Sequence, residues 1–194
     1  MALPQENNSI TYAEYLKLDE DIQYEVIDGQ IFNMSPSPSV KHQAIAMEIS
    51  TEFNIYLRSK SCRVLAEIDV CLCGEKDNSK VKEWVNPDIV IVCDKNKINK
   101  NRIAGAPDLI VEILSKSTAK TDRMIKFNRY QRAGVKEYWI VDPAHETIDV
   151  YILESEFYKH DGTYANDEVI EVNIFDDLTV NLKNIFREEI DPLY

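Results

Sequence analysis

Long apolar runs are missing from this chain: none approaches the length of about 18 residues that a membrane-spanning helix needs. Glycine is scarce, at five residues, and no glycine-rich phosphate loop occurs, which excludes P-loop and Rossmann nucleotide-binding readings. No Gly-x-Ser-x-Gly elbow is present, so nothing announces a Ser-His-Asp hydrolase. The cysteines Cys62, Cys71, Cys73 and Cys93 form no Cys-x-x-Cys pair and no histidine pair accompanies them. That excludes a zinc knuckle, and reduced, mostly buried thiols are expected. The opening stretch MALPQENNSI lacks the basic and apolar regions of a secretory leader, so a cytoplasmic location is expected.

With 44% hydrophobic and 29% charged residues, the 194-residue chain has the composition of a soluble globular protein and the length of one domain. Its net charge of −12 argues against nucleic acid as a partner. The distribution of that charge argues the other way. Between residues 95 and 136 eleven Lys and Arg face only Asp108, Glu112 and Asp122, so this stretch carries +8 and the remainder −20. A solvated loop and helix face is the plain reading; a basic surface around a functional site is the other.

The pattern along the chain predicts a mixed α/β protein. Thr11-x-x-Glu14 is a capping box that opens a helix from Tyr12 to about Leu18. Residues 24–32 read as a hairpin turning at Asp28-Gly29. A Pro/Ser loop, 35–39, precedes an amphipathic helix over 40–59 with Ile45, Ile49, Phe53, Tyr56 and Leu57 at helical spacing. Strands are predicted over 63–73, 85–93 and 108–114, then a helix over 118–133 ending before Gly134. A strand over 136–143 stops at Pro143 and pairs back with 147–153. The remainder reads as a polar meander with a short terminal segment, 178–186.

Two acids interrupt the apolar strands: Asp88 in Asn86-Pro87-Asp88-Ile89-Val90-Ile91-Val92, and Glu112 in Leu109-Ile110-Val111-Glu112-Ile113-Leu114. A carboxylate in such a run costs several kcal/mol unless a cation, a partner or a proton compensates it. Asp108 is four residues from Glu112 on one strand, about 13 Å away, too far to share a cation, and is expected to cap the strand entry. Asp88, on the preceding strand, is the better partner for Glu112 if the two strands pair in a suitable register. An ion pair with Arg123 or Arg129 is the alternative. Lys126 shares a helical face with Asp122 and Tyr130, where an ammonium group could orient water and offset charge on a phosphate. Glu25 could serve as a further ligand or base, or be an exposed hairpin acid; His42, at the start of the long helix, reads more simply as a surface residue.

The segments Tyr24-Glu25-Val26-Ile27-Asp28-Gly29, Ser35-Pro36, His42, Pro87-Asp88, Gly105 to Ser115, Asp122, Lys126, Tyr130 and Ala133 to Pro143 occur in an order and spacing that resemble a known family. The chain is similar, over about residues 10–153, to the bacterial restriction endonuclease group of the Uma-two type within the PD-(D/E)XK nuclease superfamily. The resemblance implies a restriction-endonuclease-like core, a mixed central β-sheet flanked by helices, with an N-terminal helix and hairpin added and residues 154–194 as an extension of one nuclease-like domain. It implies Mg²⁺ (or Mn²⁺) held by Asp88, Glu112 and the main-chain carbonyl of Ile113. Asp88, Glu112, Lys126 and Glu25 are then the catalytic set, hydrolysing DNA phosphodiester bonds by a metal-activated water, in a homodimer and away from membranes. One position departs from the pattern. The lysine two residues after the glutamate is Leu114 here, so the ammonium group would come from Lys126, with Lys116 as the fallback. A nuclease fold that has lost catalysis and binds nucleic acid or a protein is the alternative, and a small-phosphoester hydrolase is a third reading.

Overall fold

The computed structural model describes residues 10–18, 23–34 and 38–187; the expectations for the N-terminal stretch and for Ser35-Pro36-Ser37 lie outside them. Thr11 caps a single helical turn, α1 (Tyr12–Tyr15), accepting from the Glu14 N–H while its own N–H donates to the Glu14 carboxylate at 2.8 Å. The hairpin β1 (Tyr24–Ile27) and β2 (Gln30–Asn33) turns at Asp28 and Gly29, whose φ values of 49° and 75° are those of a type I′ turn. In α2 (Val40–Leu57), Ile45, Ile49, Phe53 and Leu57 are buried at four-residue spacing. Five short strands follow: β3 (Arg63–Ala66), β4 (Val70–Cys71), β5 (Ile89–Val92), β6 (Ile103–Ala104) and β7 (Leu109–Ile113). A π-helical turn, Thr121–Lys126, runs into α3 (Phe127–Ala133), and β8 (Glu137–Asp142), β9 (Thr147–Glu154), β10 (Phe157–Ala165), β11 (Val169–Glu171), β12 (Thr179–Asn181) and α4 (Leu182–Ile185) follow among the described residues.

The central sheet has six strands in the order β10-β9-β8-β7-β5-β3, and it is mixed: β7 and β8 run parallel while the other neighbours are antiparallel. The parallel pair needs a crossover, and the helix carrying Lys126 is that crossover. Alternation along the strands builds two cores. Ile89, Ile91, Val111 and Trp139 face α2, and Val90, Ile110 and Ile140 face Tyr130 and Val135 on the α3 side.

Four expectations are corrected. The strand predicted over 63–73 is two strands in different sheets, because the chain leaves β3 at Glu67, whose φ is +49°. The helix over 118–133 contains the π-helical turn. The polar meander includes β10, paired along β9 in the central sheet, and Val180, Leu182 and Ile185 are core residues. Finally, Cys62 and Cys93 are joined by a disulfide. The register Arg63↔Val92 sets these two cysteines side by side across 31 residues of sequence, a proximity that spacing alone does not reveal. Cys71 and Cys73 are free thiols. A cross-link closing a loop of that size is worth about 3–4 kcal/mol. Reducing it, or replacing both cysteines by serine, is expected to lower the denaturant midpoint by a corresponding amount.

Candidate active site

The register of the two central strands decides where the carboxylates meet. Ile89 pairs with Val111, so Asp88, one residue before β5, stands across from Glu112. The Asn86-Pro87-Asp88 approach is pinned from two sides: the Asn86 N–H donates to Glu25 Oε1 at 2.7 Å and its Nδ2 to Asp69 Oδ1 at 2.8 Å. Asp88 Oδ2 accepts the Ile113 N–H at 2.6 Å, which ties the end of β5 to β7 through the residue after Glu112.

Glu112 is 3% exposed and its Oε1 is shared by two donors, Lys126 Nζ at 3.0 Å and the Tyr130 hydroxyl at 2.6 Å. Lys126 Nζ also lies 2.7 Å from Glu25 Oε1 and 3.7 Å from Asp122 Oδ1. One buried ammonium thus serves three buried carboxylates, two of them from distant parts of the chain. Leu114 is half-buried against the α3-side core. The cation that answers Glu112 is therefore Lys126, not an arginine: Arg123 pairs with Asp149 at 2.8 Å and Arg129 with Glu83 at 2.5 Å. Glu25 is buried too, which displaces the exposed-acid reading. Asp108 has the capping part expected of it, with Oδ2 accepting the Cys93 N–H at 2.8 Å and Oδ1 paired with Lys136 at 2.7 Å.

Burial shapes the acid–base character of the group. It raises the Glu112 carboxyl well above the ordinary range, and the nearby Asp122, Asp88 and Glu25 add to the rise against the opposing pull of Lys126. Burial likewise lifts Asp122 to about 6. Burial alone would lower the Lys126 ammonium, but the charges of Glu112, Glu25 and Asp122 outweigh it and push its pKa up. The Tyr130 hydroxyl is raised as well, by burial and by Glu112.

His42, Asp122 and Tyr130 join the site without having been assigned to it in advance. His42 is not a surface residue: its Nε2 is 3.4 Å from Asp88 Oδ1 and its side chain is 12% exposed. Burial pulls its pKa down, while Asp88 and the Ile113 carbonyl hold it above the free value of 6.5. The contribution of that interaction to stability is present below pH 6.5 and fades as pH rises through the folded value. NMR titration of His42 in metal-free protein is expected to show the elevated value, and Asp88→Asn to lower it; an unchanged titration would remove Asp88 as the cause. For Asp122 and Tyr130 the four-residue spacing through Lys126 was the available signal.

The basic stretch does not form an open cationic groove of eleven side chains. Arg102 is 1% exposed and bound to Asn78 and Glu75, Arg132 pairs with Asp28 at 2.8 Å, and Lys97 donates to the Ala106 carbonyl. Lys116 and Lys120 remain exposed in the loop that leads from β7 to the crossover helix. Among the described residues no three His, Cys, Asp or Glu side chains converge on one cation position.

The model of the Uma2 family, described as "Putative restriction endonuclease", matches residues 12–183, which takes in both carboxylate strands and the crossover helix. The chain belongs to the Uma2 family. Two uncharacterized proteins of Synechocystis sp. are similar to it, one 29% identical with 71% of each chain covered, the other 24% identical with 73% of this chain and 80% of the relative covered. The fold is also that of a crystal structure from Anabaena variabilis described as "a putative nuclease belonging to DUF820", with a TM-score of 0.70, 25% identity, and 91% of this chain and 97% of that one covered. Family membership and fold together support a nuclease. Among the described residues no helix is long and apolar enough to cross a membrane.

Proposed function

We propose that this Uma2 protein is a metal-dependent endonuclease that hydrolyses DNA phosphodiester bonds. The observation that carries the reading is the position of Lys126: with Leu114 where the lysine of the superfamily pattern would be, an ammonium group from the next helix lies 3.0 Å from Glu112 Oε1. Asp88, Glu112 and the Ile113 carbonyl would hold Mg²⁺ (or Mn²⁺), and the donors suit it, being hard oxygens without thiolate. Electrostatics favour the same ion. Glu25, Asp88, Glu112 and Asp122 bring four carboxyl groups together against Lys126 and His42; burial raises the Glu112 carboxyl and the other three acids add to the rise, a cost that a bound divalent cation would relieve. When bound, the ion would supply Lewis acidity to the scissile phosphate and lower the pKa of a water. The residues of the chain have their own tasks. Lys126 offsets charge developing on the phosphoryl oxygens, Tyr130 and Glu25 fix Glu112 and Lys126 in place, and Asp88 and Ile113 stay locked by their 2.6 Å bond.

A second reading has an observation of its own. Lys126 is held by three carboxylates and much of the basic stretch is tied up in ion pairs, as in a nuclease fold kept for binding nucleic acid or a protein. Cleavage of supercoiled plasmid and of single-stranded DNA with Mg²⁺ or Mn²⁺ separates the two. Metal-dependent nicking lost in Asp88→Ala, Glu112→Ala and Lys126→Ala supports the endonuclease. DNA binding that survives Asp88→Ala, without nicking by the wild type, supports the binding protein.

A further inference from the structure

The candidate active site makes no use of two free thiols that lie against each other, Cys71 and Cys73, whose Sγ atoms are 3.0 Å apart. The local fold explains the contact. Two residues apart on an extended strand, they would share a face with about 6.6 Å between their Cα atoms. Instead β4 ends at Cys71, and the Gly74 N–H donates back to the Cys71 carbonyl at 3.3 Å. Residues 71–74 are therefore a tight turn, closed by a glycine with φ of 73°. The Cys71 carbonyl also accepts the Gly105 N–H at 2.8 Å, next to the parallel pairing of β4 with β6, which holds the turn in place. The two sulfurs differ in access. Cys71 is buried in the cluster of Tyr12, Val81 and Trp84, whereas Cys73 is exposed. Burial pushes the Cys71 thiol up to about 12, so on its own it is inert toward reagents in solution.

We propose that Cys71 and Cys73 form a thiol-modification site, at which a low-molecular-weight disulfide closes an intramolecular Cys71–Cys73 bond. The Cys73 thiolate attacks one sulfur of the small disulfide, whose S–S bond breaks. A mixed disulfide is left on Cys73, and the released thiolate takes up the proton that Cys73 gave up. Cys71 then attacks the Cys73 sulfur, its proton passes to the second departing thiolate, and the Cys71–Cys73 bond forms. Two protein thiols are oxidised and one small disulfide is reduced to two small thiols. The exposed sulfur meets the reagent and the buried one resolves it, which is the division of labour in a redox-sensing pair. Contact at 3.0 Å makes the second step intramolecular and favoured by proximity. The bond would not be a staple like that of Cys62 and Cys93. Only Leu72 separates its ends, so closing it removes little chain entropy, and its consequence is chemical: it withdraws the exposed thiol. Neither step involves Asp88, Glu112 or Lys126, so the site is independent of the nuclease reading.

Treating the full chain, without denaturant, with oxidised glutathione and mapping it by mass spectrometry tests this. In the wild type both free thiols are expected to disappear, with the loss of two hydrogens, no retained glutathione, and Cys71 and Cys73 in one cross-linked peptide. Cys71→Ala is expected to keep glutathione on Cys73, because the resolving sulfur is gone. Cys73→Ser is expected to leave the Cys71 thiol unmodified, with native circular dichroism. Cys71 is a core residue, so its variant can lose stability; the wild type and the surface variant Cys73→Ser decide the matter without it. A wild type that does not react, glutathione that stays on wild-type Cys73, a bond from Cys73 to Cys62 or Cys93, or loss of the Cys71 thiol in folded Cys73→Ser each overturns the proposal.

Discussion

Replacing Lys126 by methionine is expected to reduce metal-dependent cleavage by about 10²–10³-fold, the usual effect of losing one preorganised charge-stabilising group, and to destabilise the fold by about 3–5 kcal/mol. The two losses have one origin. The side chain is 6% exposed and its ammonium faces Glu112, Glu25 and Asp122, so its removal leaves buried carboxylates without a counter-charge. Their response to pH provides a signature. Burial lifts Asp122 to about 6 and raises Glu112 as well, so folding favours their protonated forms. An acid whose folded pKa is raised contributes stability that is present at low pH and lost as pH rises through the folded value. Without the opposing pull of Lys126 both values rise further. The part of the variant's stability deficit that comes from Asp122 therefore shrinks as pH falls from the variant's higher value down to about 6, which denaturant melts at several pH values would detect. Full cleavage by a folded Lys126→Met protein would make Lys126 a structural ion-pair partner only and return attention to Lys116.

Asp88→Ala and Glu112→Ala are expected to abolish nicking, a loss on the order of 10³-fold, and, independently, to abolish stabilisation by the metal. A ligand at a hundred times its Kd stabilises the folded state by about 2.7 kcal/mol. Wild-type melts with Mg²⁺ or Mn²⁺ are expected to shift upward by that order, and those of the two variants not to shift. Because Asp88 also receives the Ile113 N–H at 2.6 Å, Asp88→Asn serves as the control that keeps an acceptor while removing the charge. A metal-induced shift retained by both alanine variants would place the cation elsewhere.

Much of the local structure was legible because local rules govern it. The Thr11–Glu14 box, the Asp28-Gly29 turn, the buried spacing in α2 and the αL cap at Gly134, with φ of 84°, each depend on residues within one turn of one another. The two acids in apolar strands stood out for a similar reason: burying an uncompensated charge is so costly that each implied a partner. The helical spacing of Asp122, Lys126 and Tyr130 even indicated which side chains would travel together, although it gave no hint that the turn carrying Asp122 and Lys126 is π-helical.

What remained hidden depends on how strands pair and layers stack. The 31-residue separation of Cys62 and Cys93 says nothing of their contact, which the β3–β5 register creates. His42 lies at the head of α2 and Asp88 at the entry to β5, and only the packing of that helix against the sheet brings them to 3.4 Å. The ion pairs that absorb Arg123, Arg129 and Arg132 join segments far apart in the chain, so a stretch of charge +8 in sequence presents fewer free cations in space than its count suggests. The sequence by itself indicated most of the element types and singled out the two acids, because propensity, periodicity and the cost of a buried charge act residue by residue, while the order and spacing of its motifs carried the resemblance to the family. The tertiary structure alone decided which cation serves Glu112 and which cysteines bond, because these follow from register and layer packing between residues that no local pattern connects.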